Sequence, residues 1–97
     1  MIQTSFGGYD KPKLMEKIRK WFVGRAGEGG EACTDASHMV IIVDDFDGVL
    51  PQFVRSGEDV RACIAEVGRS RVEKVMEVYD LSLDLEKQLA EPRAFHL

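Results

Sequence analysis

His38–Leu50 reads HMVIIVDDFDGVL, an apolar run from Met39 to Val43 that ends in Asp44, Asp45, Asp47 and Gly48. Asp-Gly is a favoured dipeptide of two-residue type I′ turns, because both central residues of that turn need a positive φ. The stretch reads as a hairpin: a Val- and Ile-rich strand over Met39–Phe46, a reversal at Asp47-Gly48, and a returning strand over Val49–Arg55. Pro51 cannot donate a ladder hydrogen bond, so the second strand is expected at a sheet edge, or with the N–H side of position 51 turned outward.

Helical patterns flank the hairpin. Leu14, Met15, Ile18, Trp21 and Phe22 fall within an arc of about 120° on a helix, with Lys13, Lys17 and Lys20 on the other side. That helix is expected over Lys11–Val23, capped by Asp10, tolerant of Pro12 in its first turn, and stopped by Gly24. Gly24–Ser37 (GRAGEGGEACTDAS) has no apolar periodicity and reads as a loop. After the hairpin, Val60, Cys63, Ile64 and Val67 lie at i, i+3, i+4 and i+7, a helix from Gly57 to Val67 with Ser56 and Asp59 as its capping pair and Gly68 as its left-handed stop. Val72–Leu81 fits either a helix capped by Ser70 or a strand. The strand is preferred because a lone hairpin is marginal and a third strand completes a minimal sheet. Asp84–Ala90 forms a last short helix ended by Pro92, and Phe95 in the tail can pack on the body. The fold class is α+β in the order α-β-β-α-β-α: a small, mainly antiparallel sheet with both main helices, 11–23 and 57–67, on one face. The expected core is Leu14, Ile18, Trp21, Phe22, Val40, Ile42, Val60, Cys63, Ile64, Val67, Val75 and Val78.

A chain of 97 residues is one domain, with Met1–Gly8 as a short lead. Its 44% hydrophobic and 31% charged residues are those of a globular protein. No apolar run approaches membrane-spanning length, and the N-terminus lacks the basic and apolar regions of a secretory signal. Two cysteines thirty positions apart, Cys33 and Cys63, do not suggest a disulfide framework, and a cytoplasmic location is expected. The net charge of −4 is unevenly spread: Asp10–Arg25 holds six bases against two acids, whereas the chain from Glu28 onward holds fifteen acids against seven bases. Three lysines on one helix face neutralise few phosphates, and a pI near 5.1 argues against nucleic acid as the main ligand.

Asp45-Phe46-Asp47-Gly48-Val49-Leu50 after an apolar strand resembles the first motif of the haloacid dehalogenase superfamily of phosphatases and phosphomutases. The resemblance implies Asp45 as phosphoryl-accepting nucleophile, Asp47 as general acid/base, and Mg²⁺ between Asp45 and the substrate phosphate. It covers about ten residues. The family's doubly wound parallel sheet needs several further βα units of ~30 residues, and only 47 residues follow Leu50. The family's later Ser/Thr, Lys and acidic-pair motifs are not matched either. An EF-hand register fails because position 1 would be Val43. Cys33 with His38 is a weak nucleophile–base pair, and Cys33, His38, Cys63 and His96 lack zinc-ligand spacing. Gly24–Gly30 lacks the ending of a phosphate loop.

The remaining feature is the acidic body. Asp44, Asp45, Asp47, Glu73 and Glu77 are expected to form a negative surface if the third strand lies beside the hairpin, and such a surface suits a basic protein partner. The leading expectation is a non-catalytic interaction or regulatory protein that needs no cofactor. By class-level analogy it is an inhibitor of the kind carried by mobile elements, docking on a nucleic-acid-handling protein. The alternatives are a Mg²⁺-dependent phosphohydrolase centred on Asp45 and Asp47, and a homo-oligomer paired through the edge strand near Pro51.

Overall fold

Apolar residues recurring every three to four positions wind Lys11–Gly24 into α1. The computed structural model describes residues 11–27, 29–45, 48–91 and 95–97, so the expected lead, the Asp10 cap and Pro92 lie outside the described residues. Leu14, Ile18 and Trp21 are buried along one side of α1, and Lys13, Lys17 and Lys20 are exposed along the other. Gly24 is the last helical residue, but the left-handed turn falls on Arg25, at φ +56°. Two hydrogen bonds hold Arg25 there: Cys33 N–H donates to its carbonyl at 2.7 Å, and its own Nη2 donates to Leu81 O at 3.2 Å. In the loop that follows, Gly27 approaches Pro51 closely, and an added Cβ would lie 3.3 Å from its ring.

β1 (Ala36–Asp44), β2 (Gly48–Arg55) and β3 (Glu73–Asp80) form one antiparallel sheet in the order β2-β1-β3. The hairpin forms, with a different register from the expected one. Asp44 stands opposite Gly48 and Val43 opposite Val49, so three residues, 45–47, join the strands. A two-residue Asp47-Gly48 turn would have paired position 46 with Val49. Gly48 does adopt a positive φ, +82°, but as the first residue of β2. Pro51 lies on an edge strand, as its missing N–H requires.

α2 (Val60–Gly68) starts later than expected because Asp59, not Ser56, is its N-cap, accepting from Arg61 N–H at 2.9 Å. Gly68 is the last helical residue and the C-cap Arg69 is right-handed, so the expected left-handed stop is absent there. The ambiguous stretch is strand β3. Ser70 Oγ accepts from the N–H groups of Val72 and Glu73, both at 3.2 Å, and so makes a turn into the strand rather than a helix cap. α3 (Leu85–Leu89) is capped by Asp84, which accepts from Lys87 N–H at 3.2 Å.

The α+β order holds, but the helices do not share a face. Leu14, Ile18 and Trp21 of α1 pack with Leu85 of α3 on Met39, Ile41, Met76, Tyr79 and Leu81. Val67 of α2, with Val60, Cys63 and Ile64, packs on Val40, Ile42, Val54 and Val78 on the other side. Alternate residues of β1 therefore feed two cores, and the sheet is the middle of three layers. Met39, Ile41, Met76, Tyr79, Leu81 and Leu85 join the expected core because of this second interface.

Candidate functional site

Of the five acids expected to share a surface, the four among the described residues differ in exposure. Asp45 is exposed, its N–H donating to Val72 O at 3.0 Å. Glu73 is half-buried opposite Asp44, and Asp44 itself is only 8% exposed. Glu77 is buried at 3% and accepts a 2.6 Å hydrogen bond from the Tyr79 hydroxyl. Asp47 lies outside the described residues. Glu77 stands opposite Ile41 and Tyr79 opposite Met39, two residues apart on the strand and so on one face, the face that α1 and α3 cover. Burial, then the hydrogen bond and charge of Glu77, push the Tyr79 hydroxyl well above its usual pKa. Asp44 and Glu77 are therefore interior carboxylates, and of the described four only Asp45 and Glu73 offer charge to a partner.

The chain after the acidic loop returns antiparallel to β1, and both pairings of the sheet are antiparallel. The parallel sheet implied by the resemblance to haloacid dehalogenases is not the one formed. Cys33 and His38 do not meet: Cys33 Sγ lies 3.5 Å from Asp35 Oδ1, while His38 Nδ1 lies 2.8 Å from Ser37 Oγ. The zinc quartet is scattered too, with the Cys63 thiol against Gln52 and the His96 ring stacked on Tyr79. Both cysteines are free. No group of three metal-ligating side chains converges among the described residues, and no described helix is long and apolar enough to cross a membrane.

Two concave features stand out among the described residues. At the end of the sheet where β1 starts and β3 stops, a shallow cavity of about 330 Å³ is lined by Arg25, Ser37, His38, Ser56, Asp80 and Ser82. Ser37, His38 and Asp80 are the residue types of a hydrolytic triad, but the His38 Nε2 to Asp80 Oδ2 distance is 3.9 Å, too long for a hydrogen bond. Asp80 Oδ1 is engaged by Ser82 N–H at 2.8 Å and Ser82 O–H at 2.6 Å. Burial alone would raise the pKa of Asp80. The two Ser82 hydrogen bonds, with His38 and His96 nearby, outweigh it and hold the carboxyl below its usual value. This carboxylate anchors a turn, and Asp-x-Ser at 80–82 is the sequence signal for it.

The second feature is a groove of about 380 Å³ between β2 and α2, with Gln52 and Val54 on its sheet side and Ala62 and Cys63 on its helix side. Glu58, Asp59 and Glu66 line it, and no basic side chain does. Asp59, Ala62, Cys63 and Glu66 are at i, i+3, i+4 and i+7, one side of a helix, so the sequence carried this signal beside the apolar stripe. Gln52 Nε2 donates to Cys63 Sγ at 3.3 Å. Burial first, then the charges of Glu66 and Glu58, push the Cys63 thiol up. No protein-family model matches the chain, and neither a curated protein nor a solved structure matches it.

Proposed function

We propose that this chain is a non-catalytic interaction protein of the cytoplasm that docks a basic partner in the acidic groove between β2 and α2. The carrying observation is that Glu58, Asp59 and Glu66 converge on one concavity without a base among its lining residues. Concave walls of one sign concentrate field and favour a partner of the opposite sign. The basic helix α1 packs on the opposite face of the sheet, too far round to neutralise the groove. The acidic docking role expected from the sequence is kept, moved from the hairpin tip to the helix-lined groove. A regulator or inhibitor acting on a nucleic-acid-handling protein is one role such a groove serves.

The test uses fluorescein-labelled lysine-rich and glutamate-rich peptides of equal length, followed by anisotropy. The lysine-rich peptide is expected to bind and to weaken as salt rises, because exposed charges are screened over about 8–10 Å at physiological ionic strength. Glu58→Gln with Glu66→Gln is expected to weaken it roughly tenfold, at about 0.2–1 kcal/mol per exposed ion pair. Asp45→Asn with Glu73→Gln is expected to leave it unchanged. Equal binding of both peptides, or loss only in the Asp45/Glu73 variant, overturns the assignment.

A further inference from the structure

The two edges of the sheet are finished differently. Along β3, the buried Gln88 side chain receives Asp80 N–H at 2.7 Å and donates back to Asp80 O at 2.9 Å. Phe95 then bridges Val78 in parallel, with His96 N–H donating to Val78 O at 3.0 Å. Gln88 and the tail thus occupy that edge. Along β2 no described strand pairs with the outer side, and Glu58 meets it only at Arg55, its last residue.

The direction of the β2 backbone follows from its end. Ser56 N–H donates to Asp35 O at 2.8 Å, on the β1 side. Alternation in an antiparallel ladder then turns the backbone of Val54, Gln52 and Leu50 toward β1 and that of Arg55, Phe53, Pro51 and Val49 outward. The Arg55 N–H is met by Glu58 Oε1 at 3.0 Å, and Pro51 has none. The outward donors are Val49 and Phe53, and the outward acceptors include the carbonyl of Pro51.

Resting on the docking role proposed above, we infer that the groove's occupant is an extended, alternating basic–apolar segment of a partner protein, added to β2 as a fourth strand. A strand in that place sends every second side chain to the α2 face, beside Glu58, Asp59 and Glu66, and the others to the α1 face, beside Val49 and Phe53. Basic residues suit the first set and apolar residues the second. Charge decides against a second copy of this chain. Antiparallel pairing of β2 with itself has its two-fold axis perpendicular to the sheet. That places both α2 helices on one face and sets three carboxylates against the same three. Pro51 removes one donor from the edge and leaves the register anchored at Val49 and Phe53.

The experiment uses the intact chain and an eight-residue peptide alternating Lys and Val. Anisotropy gives affinity, and amide hydrogen exchange by NMR gives the backbone contact. Val49 and Phe53 are expected to exchange at least tenfold more slowly when saturated. Methylating one alternate set of peptide backbone nitrogens is expected to cost at least tenfold in affinity, and methylating the other set to change it little. If both methylated peptides bind like the parent, strand addition is overturned while the acidic docking site stands. If no basic peptide binds, both fail. If light scattering shows a dimer whose Val49 and Phe53 amides are protected without peptide, a second copy is the occupant and the inference is overturned.

Discussion

Tyr79 and Glu77 sit two residues apart on one strand, and the phenol donates to the carboxylate across 2.6 Å in the interior. The interaction favours the neutral phenol, so the folded pKa of Tyr79 lies above its ordinary value of 10.0. A raised folded pKa contributes stability that is fully present below the unfolded value and is lost as pH climbs past it. Urea midpoints are therefore expected to be flat toward pH 10.0 and to fall beyond it, with Tyr79 phenolate absorbance appearing only as the chain unfolds. Tyr79→Phe is expected to flatten that alkaline fall and to lower stability at neutral pH by about 1–3 kcal/mol, since Glu77 loses a buried donor. In a Tyr9→Phe background, which leaves Tyr79 as the one tyrosine, a phenolate signal that rises while circular dichroism stays native would contradict the geometry. None of this was legible in the sequence. Glu77 read as a surface charge because both main helices were expected on one face of the sheet, and α1 with α3 covers the face that carries Glu77 and Tyr79.

At the scale of the element, what could be read was what local periodicity dictates. α1 and α2 follow from three-to-four-residue spacing, the hairpin from Val/Ile enrichment and a glycine with positive φ, and β3 from the need for a third strand. Boundaries were less legible because caps compete: Asp59 outbids Ser56 once the Ser56 N–H is engaged by Asp35 O. Least legible was the work of α3. Its five residues are too few for helix propensity to hold them, and its Gln88 side chain substitutes for a neighbouring strand at Asp80. Gln88→Ala strips the half-buried Asp80 N–H of its partner, while Asp80 O keeps the Leu83 N–H at 3.2 Å. The expected loss is about 2 kcal/mol in urea unfolding, from the desolvation of the N–H left unpaired. Glu86→Gln, two positions away, removes only the exposed contact to Arg19 and is expected to leave the midpoint unchanged. Equal effects of the two would mean that Gln88 does not close the edge.

In the whole molecule, the five consecutive apolar residues Met39–Val43 were the sign of a strand covered on both sides, since a half-covered strand alternates. Assigning both main helices to one face left Met39 and Ile41 without a partner layer, and α1 with α3 supplies it. β1 thereby joins the cores: Met39 and Ile41 belong to the α1 side, Val40 and Ile42 to the α2 side, and all four are 4% exposed or less. Neither helix layer can leave without exposing one side of the strand that holds the other, at about 1.5–3 kcal/mol per large side chain uncovered. Unfolding should then be one transition seen from either side. Trp21, the single tryptophan, reports the α1 side through its emission. Cys63 reports the α2 side through the rate of thiol labelling in a Cys33→Ser background. The two urea curves are expected to superimpose within error, with the same midpoint and slope. An α2-side transition at lower urea, with Trp21 still buried, would mean that α2 is a separately opening flap. The groove it forms with β2 would then be only as durable as that flap, so the superposition of these curves decides whether the docking surface is a property of the native fold.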